Sequence, residues 1–198
     1  MLPQSPATAP DPDTAPATPT TPAPGRVIVI TGAMAAGKST VAELLASRFA
    51  RSVHVRGDSF RRMIVNGQIA MTPDASVEAT AQLHLRYELA ATTADTYAAH
   101  GYDVVVQDVI IGAELAPFVA RVRTADRFLV VLSPSVSVLE WREQQHRRKE
   151  GFVHFSAQTM DTALRNQSAR IGYWLDSSAQ TPEETVTDIL ANLELARV

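Results

Sequence analysis

A glycine-rich stretch at residues 32–39 has the spacing G-x-x-x-x-G-K-S, which is typical of loops that bind nucleoside triphosphates. Its two glycines allow backbone angles and close approaches that side chains would block, so that successive amides can point at phosphate oxygens. Lys38 would reach the β and γ phosphates, and the Ser39 hydroxyl would ligate Mg²⁺. We therefore predict ATP and Mg²⁺ as cofactors, with the nucleotide bound by Gly32, Ala33, Met34, Ala35, Ala36, Gly37, Lys38, Ser39 and Thr40.

Asp58 is the candidate catalytic base. It follows the second predicted strand, at the carboxyl edge of the sheet where open α/β folds bind their ligands. A positioned carboxylate can take the proton of an acceptor hydroxyl while the γ-phosphoryl group is transferred. Arg61, three residues further on, would share the helix face of Asp58 and bind an anionic group of the acceptor or the transferred phosphate. The alternative is that Asp58 caps a helix that begins at Ser59.

Asp108 follows a run of three valines that reads as a buried strand. In this position it resembles a Walker B carboxylate, which orients the water shell of Mg²⁺. Two alternatives stay open, namely that Asp108 faces the acceptor or that it only forms a turn. We predict Ser39 and Asp108 as metal ligands, and Asp58, Arg61 and Asp108 as the residues that bind the acceptor.

A basic segment at residues 142–149 follows the fourth predicted strand, where P-loop kinases commonly have a mobile lid. Arginines there would stabilise charge on the transferring phosphoryl group, together with Lys38. We favour Arg142 and Arg148 as catalytic residues, and a solvated helix face is the alternative. Binding of nucleic acid by this segment is not favoured, because it lacks interleaved aromatic residues on which bases could stack.

Short aliphatic runs alternate with longer helical stretches from Arg26 onward. This alternation is typical of an α/β fold, and with the phosphate loop it predicts the P-loop NTPase fold, a five-stranded parallel sheet with helices on both faces. The predicted strands are 27–31, 53–56, 103–107, 127–132 and 172–175. The predicted helices are 39–50, 59–66, 73–100, 113–124, 136–148, 156–169 and 182–197. Thr72 before Pro73, and Thr181 before Pro182, are predicted to cap the helices that follow.

The composition bounds the class of protein. A chain of 198 residues suits one domain, here residues 26–198, after a disordered tail at 1–25 that is rich in proline, alanine and threonine. The formal charge of -3 gives no general attraction for nucleic acid or an anionic membrane. The absence of cysteine excludes disulfides and a thiol nucleophile. Without a leader or a long apolar run, we expect a cytoplasmic protein with no membrane partner. The oligomeric state is not predicted.

The order of these features resembles the chloramphenicol phosphotransferase-like P-loop kinases, within the AAA_33 and zeta-toxin-like kinase group, over nearly all of residues 26–197. The likeness rests on T-G-A-M-A-A-G-K-S from Thr31, G-D-S from Gly57, V-V-Q-D-V-I-I-G from Val105, L-D-S-S from Leu175 and T-P-E-E from Thr181. The resemblance implies an adenylate-kinase-like fold and transfer of the ATP γ-phosphate to a hydroxyl of a small molecule, such as an antibiotic.

By the same resemblance, Asp58 matches the catalytic aspartate of the family. Asp108 matches the second acid of an Asp-Asp-Val stretch, but Gln107 replaces the first acid in this chain. That departure bears on whether the acceptor is an antibiotic.

Two other functions stay open. Asp58-Ser-Phe-Arg61 also resembles the Asp-x-x-Arg stretch of P-loop polynucleotide 5′-kinases and, more loosely, of zeta-toxin-like sugar-nucleotide kinases. An acidic chain with one short basic patch supports polynucleotide binding poorly. A nucleotide-dependent switch without any acceptor is the third hypothesis, although the N-K-x-D stretch of GTPases is absent from the sequence. We predict an ATP-dependent phosphotransferase that acts on a hydroxyl of a small molecule.

Overall fold

The computed structural model describes residues 23–145 and 154–198. Most of the predicted disordered tail, and the predicted catalytic residue Arg148, lie outside the described residues. The strands are β1 (Val27–Gly32), β2 (Ser52–Arg56), β3 (Asp103–Gln107), β4 (Arg127–Leu132) and β5 (Tyr173–Leu175). The α-helices are α1 (Lys38–Ala46), α2 (Gly57–Arg62), α3 (Val77–Ala99), α4 (Leu115–Arg121), α5 (Val136–Gln145), α6 (Ala157–Gln167) and α7 (Pro182–Ala191). Short 3-10 helices cover Gly112–Glu114 and Leu193–Ala196.

The five strands form one parallel sheet in the order β2-β3-β1-β4-β5. β1 is central, because Val27 pairs with Val104 of β3 on one side and with Arg127 of β4 on the other. The carboxyl ends of all five strands therefore lie at one edge of the sheet, where the phosphate loop, Asp58 and Asp108 follow β1, β2 and β3. The predicted α/β P-loop fold with a five-stranded parallel sheet is confirmed.

Alternate residues of each central strand pack on opposite faces of the sheet, as a strand geometry of period two requires. Ile28 and Ile30 face a core that includes α1 and α7. Val27 and Val29 face a second core, which includes α3 and α4. Because β1, β3 and β4 are buried on both faces, their aliphatic runs carry no polar alternation, and this is why the sequence indicated them clearly.

The predicted start of α3 is wrong. Pro73 lies in a turn, and the helix begins only at Val77, where the Ser76 side chain accepts a hydrogen bond from the amide of Ala79. Ser76 thus does the capping that the sequence analysis assigned to Thr72. By contrast, Thr181 caps α7 as predicted, within a capping box completed by Glu184.

Helix ends were also predicted too far out. The predicted helix 182–197 ends at Ala191, after which a 3-10 helix follows, and the predicted helix 59–66 ends at Arg62. Among the residues that the structure describes, no helix has both the length and the apolar character that crossing a bilayer requires.

Candidate active site

The phosphate loop owes its shape to three residues with positive φ angles. Gly32 has φ 146° and Gly37 has φ 94°, and Ala35 adopts the left-handed conformation at φ 60° although it carries a side chain. A Cβ at Gly32 would collide with the carbonyl oxygen of Leu132 in the neighbouring strand β4. Gly37 precedes α1 and provides no capping side chain, so that the first amides of the helix face the loop. This backbone suits the oxygens of a phosphate group.

Two cations lie against the loop. Lys38 is 7% exposed, and its ammonium donates to the carbonyl oxygen of Ala33 at 2.7 Å. From α5, Arg142 donates to the carbonyl oxygen of Ala36 at 3.3 Å and reaches that of Ser177 at 3.5 Å. Two positive charges therefore lie against the loop backbone, where they would stabilise an anionic ligand. The catalytic roles predicted for Lys38 and Arg142 stay predictions.

Gln107, the last residue of β3, lies beside the predicted metal ligand Ser39. The Ser39 hydroxyl donates to Oε1 of Gln107 at 3.4 Å, and Gln107 is 7% exposed. An amide oxygen therefore lies beside Ser39, whereas the sequence analysis assigned the Walker B role to Asp108. Across the described ranges, the acidic residues and histidines form no cluster of three that could hold a metal ion. Mg²⁺ at this site would depend on Ser39, phosphate oxygens and water, a set of oxygen ligands that the ion accepts.

The Asp58 side chain pairs with arginines and does not cap a helix. α2 begins at Gly57, so that Asp58 lies inside its first turn, and the alternative of a cap before Ser59 is wrong. The carboxylate accepts a hydrogen bond from Nε of Arg61 at 3.0 Å and from Nε of Arg62 at 2.8 Å. Arg61 shares the helix face of Asp58, as predicted. Its guanidinium also donates to Oε1 of Gln68 at 2.9 Å, which fixes it against the loop that follows α2.

Asp108 is buried and paired with Arg86 of α3. The guanidinium of Arg86 donates to both carboxylate oxygens of Asp108, with 2.6 Å between Nε and Oδ2. The same guanidinium lies 3.6 Å from Oδ1 of Asp58. Arg86 therefore bridges the two carboxylates, which the sequence analysis expected to converge in one crevice. The metal-binding role of Asp108 stays a prediction, and in the structure its oxygens face Arg86 and the amide of Val109.

Arg86 is the residue that the sequence analysis missed. It is the one arginine in α3, and it lies on the helix stripe that buries Ala79, Ala90 and Ala94. A charged residue on a buried stripe needs a partner, and this position was the signal that could have found it. Burial lowers the pKa of Arg86, while the nearby charge of Asp58 raises it.

Gly57 makes room for this bridge. A Cβ at Gly57 would lie 2.6 Å from Cγ of Asp108 and closer still to Oδ2. The Gly-Asp-Ser stretch therefore needs glycine at position 57, because a side chain there would overlap Asp108 at the end of the neighbouring strand β3.

The arginines decide the charge of Asp58. Burial disfavours the carboxylate, but the hydrogen bond and charge of Arg61, the charge of Arg86 and the hydrogen bond from Arg62 outweigh burial and lower the pKa of Asp58 below its ordinary value of 3.8. Asp58 is therefore ionised at neutral pH. An ionised carboxylate accepts hydrogen bonds only, and each of its oxygens has more than one lone pair to offer.

An apolar cleft of about 280 Å³ adjoins this cluster. One wall is the segment before α3 and α3 itself, and the second is the chain after Asp108. α6 forms the third, tied to the second by the Ser168 hydroxyl, which accepts from the amide of Gly112 at 2.7 Å. Met71 and Leu83 line both this cleft and a small pocket that contains Arg61 and Arg86. The cleft therefore opens next to the arginines that bind Asp58.

Comparison with known proteins gives the family. The AAA_33 family model, described as an AAA domain, matches residues 27–171. No curated protein matches the sequence significantly. Solved structures of low identity share the fold. The unliganded sugar kinase from Janibacter sp. HTCC2649 is 18% identical, with a TM-score of 0.61 over 87% of this chain and 96% of that one.

Two further structures are similar over almost their whole length. The tunicamycin resistance protein of Deinococcus radiodurans is 16% identical, with a TM-score of 0.59 over 88% of this chain and 98% of that one. The shikimate kinase of Acinetobacter baumannii, solved in complex with shikimate, is 17% identical, with a TM-score of 0.57 over 86% of this chain and 93% of that one. The family model covers most of the sequence, and the chain therefore belongs to the AAA_33 family and has the α/β P-loop fold.

Proposed function

We propose that this protein is an ATP-dependent phosphotransferase that transfers a phosphoryl group to a hydroxyl of a small molecule. One observation carries the proposal. Asp58, an ionised carboxylate paired with three arginines, follows β2 at the sheet edge that also bears the phosphate loop, and two of these arginines line a pocket that adjoins an apolar cleft. A hydrolase or a switch needs the loop, but it needs no such cleft beside a positioned carboxylate.

The loop residues fit a nucleotide. The positive φ angles of Gly32, Ala35 and Gly37 give the loop a curved backbone whose amides can bind phosphate oxygens, and Lys38 donates to the Ala33 carbonyl oxygen within it. Bound ATP with Mg²⁺ would supply the phosphoryl group and screen its charge. Ser39 would ligate the metal, and Lys38 and Arg142 would stabilise negative charge on the phosphate oxygens. Arg148, the second predicted lid arginine, lies outside the described residues.

On the acceptor side, Asp58 would accept a hydrogen bond from the attacking hydroxyl and take its proton. Its lowered pKa makes it a weak base, so that orientation of the hydroxyl is the larger part of its contribution. Arg61 lines the pocket next to the cleft and would keep the carboxylate aimed at the acceptor. Arg86, which is itself paired with Asp108, would hold Asp58 in place.

The comparisons support a small acceptor. The structural relatives named above include a sugar kinase, a shikimate kinase and a tunicamycin resistance protein. The resemblance to chloramphenicol phosphotransferase-like kinases supports an antibiotic as acceptor, whereas Gln107 departs from that pattern. Phosphorylation of a polynucleotide 5′-hydroxyl or of a sugar nucleotide ranks second.

The test is ATP consumption by the purified protein, measured with a panel of hydroxylated antibiotics, nucleosides, sugars, sugar nucleotides and 5′-hydroxyl oligonucleotides. One small molecule should stimulate turnover. Asp58→Asn should then reduce kcat by about a hundredfold or more and leave ATP affinity intact. Lys38→Ala should weaken both ATP affinity and turnover. Asp126→Asn, at an exposed position at the opposite edge of the sheet, is the matched control and should change neither.

Stimulation by oligonucleotides alone would favour the second function. Slow ATP hydrolysis that no hydroxyl compound stimulates, together with a nucleotide-dependent protein partner, would favour the switch and overturn the proposal. An equal loss of ATP affinity and turnover in Asp58→Asn would show that the carboxylate is structural.

A further inference from the structure

We infer that the cleft accepts a mainly apolar alcohol that has no anionic group and that presents a hydrogen-bond donor to Glu114. This inference rests on the proposed function, because it describes the acceptor of that reaction. The charge of the acceptor distinguishes a neutral small molecule from the anionic acceptors ranked second, which are a polynucleotide and a sugar nucleotide.

The lining of the cleft is apolar over most of its area. Methionine, leucine, valine, isoleucine, proline, alanine and aromatic side chains supply it, with Thr72, Thr159 and Gln167 as neutral polar residues. The phenol of Tyr87 donates to the carbonyl oxygen of Val109 at 2.7 Å, so that its proton is already bonded within the wall of the cleft. The volume of about 280 Å³ is near the lower end of the range for small-molecule sites, which is roughly 300–1,000 Å³. A compact molecule with one ring suits it.

Charge on the lining has one sign. Among the described residues that line the cleft, Glu114 is the only acid, and no lysine, arginine or histidine is present. Two described cations, Arg61 and Arg86, line the adjoining pocket, where they bind Asp58, Asp108 and Gln68. A carboxylate or phosphate on the acceptor would lose water in the cleft and gain no cation from the described lining residues in return. Anionic acceptors should therefore bind poorly.

Glu114 is placed to select a donor. It ends the 3-10 helix after β3, and its Oε1 lies 3.0 Å from Nε2 of His84 on α3. The Glu114 side chain is 31% exposed and lines the cleft. A carboxylate has several acceptor sites, and His84 occupies one of them. A hydroxyl or an ammonium group of the acceptor would find its partner here.

Three probes that share a phenyl ring and a benzylic hydroxyl separate these effects. 2-Amino-1-phenylethanol carries an ammonium group, 1-phenylethane-1,2-diol is neutral, and mandelate carries a carboxylate. We expect calorimetric binding to the ATP-loaded protein to be at least tenfold weaker for mandelate than for the other two. Glu114→Gln should abolish any preference for the amine over the diol and leave the affinity for the diol within about twofold. Glu88→Gln, an exposed acid on α3, is the control and should change nothing.

Mandelate binding as tight as that of the diol would overturn the inference, and so would failure of all three probes to bind at millimolar concentration. Failure of the proposed function gives a different result. In that case the amine and the diol bind with the expected preference, but no phosphorylated product is detected by mass spectrometry after incubation with ATP and Mg²⁺.

Discussion

The two halves of the candidate site are built in different ways. The phosphate loop is a single run of consecutive residues whose backbone faces the ligand, and its shape follows from φ angles at Gly32, Ala35 and Gly37. The acceptor half is a bridge of three side chains, Asp58, Arg86 and Asp108, from three elements far apart in the sequence. The first half is fixed by local conformation, and the second exists only when the chain is folded. Substitutions should therefore act on them through different physical effects.

The largest effect is expected at the centre of the bridge. Arg86→Met leaves the buried Asp108 carboxylate without its cation, and loss of one partner of a buried pair costs about 3–5 kcal/mol in the free energy of unfolding. Urea denaturation measures this difference. Arg62→Gln removes an exposed partner of Asp58 and should cost less than about 1 kcal/mol. Equal costs for the two variants would show that the buried bridge has no special importance.

The next effect tests the space around the bridge. Gly57→Ala should destabilise the protein by about 1–3 kcal/mol, because the new Cβ would overlap the Asp108 carboxylate. In an Asp108→Ala background the overlap with the carboxylate is gone and only the Cβ of residue 108 stays close, at 3.1 Å, so that the same glycine substitution should cost less. A double-mutant cycle followed by urea denaturation measures the coupling. Additive costs would mean that Gly57 is needed for another reason.

A third substitution sharpens the boundary between the halves. Gln107→Asp places a carboxylate beside Ser39, where it can hold water ligands of Mg²⁺, and we expect the affinity for ATP to rise about tenfold with Mg²⁺ present. Without Mg²⁺ the new charge should weaken ATP binding through repulsion. Calorimetry with and without the metal measures both. Gln107→Asn, which stays neutral, should show no gain, and a gain in that variant would contradict the metal explanation.

The smallest effect is expected in the phosphate loop. Ala35 adopts φ 60°, which is unfavourable for a residue with a Cβ, and Ala35→Gly should stabilise the protein by about 0.5 kcal/mol once the entropy of glycine is counted. Ala36→Gly, at a neighbour without positive φ, should instead destabilise it by roughly 0.5–1 kcal/mol. Thermal unfolding of the two variants gives the signs. Destabilisation in both would mean that the conformation of Ala35 carries no strain.

The sequence predicted what depends on near neighbours. The loop, the five strands and the cap at Thr181 follow from residue types within a few positions of one another. The predicted start of α3 was wrong because Thr72 and Ser76 are both good caps. The choice between them depends on hydrogen bonds to residues outside this short stretch. Gln82 within α3, for example, binds the backbone of Gly67 and Ile69, so that the helix itself helps to hold the chain that leads to it. Arg86 was missed because its partners lie 22 and 28 residues away in sequence, at Asp108 and Asp58.

The order of the strands gives the two halves unequal freedom to change. The phosphate loop follows β1, which is bonded to a neighbour on each side, so that a shift of this strand would disturb two ladders at once. Asp58 follows β2, an edge strand that is bonded to β3 alone. Substitutions that move β2 and α2 therefore perturb only one ladder. Under the proposed function, the side of the site that carries Asp58 can therefore change with less disturbance of the sheet than the side that carries the phosphate loop.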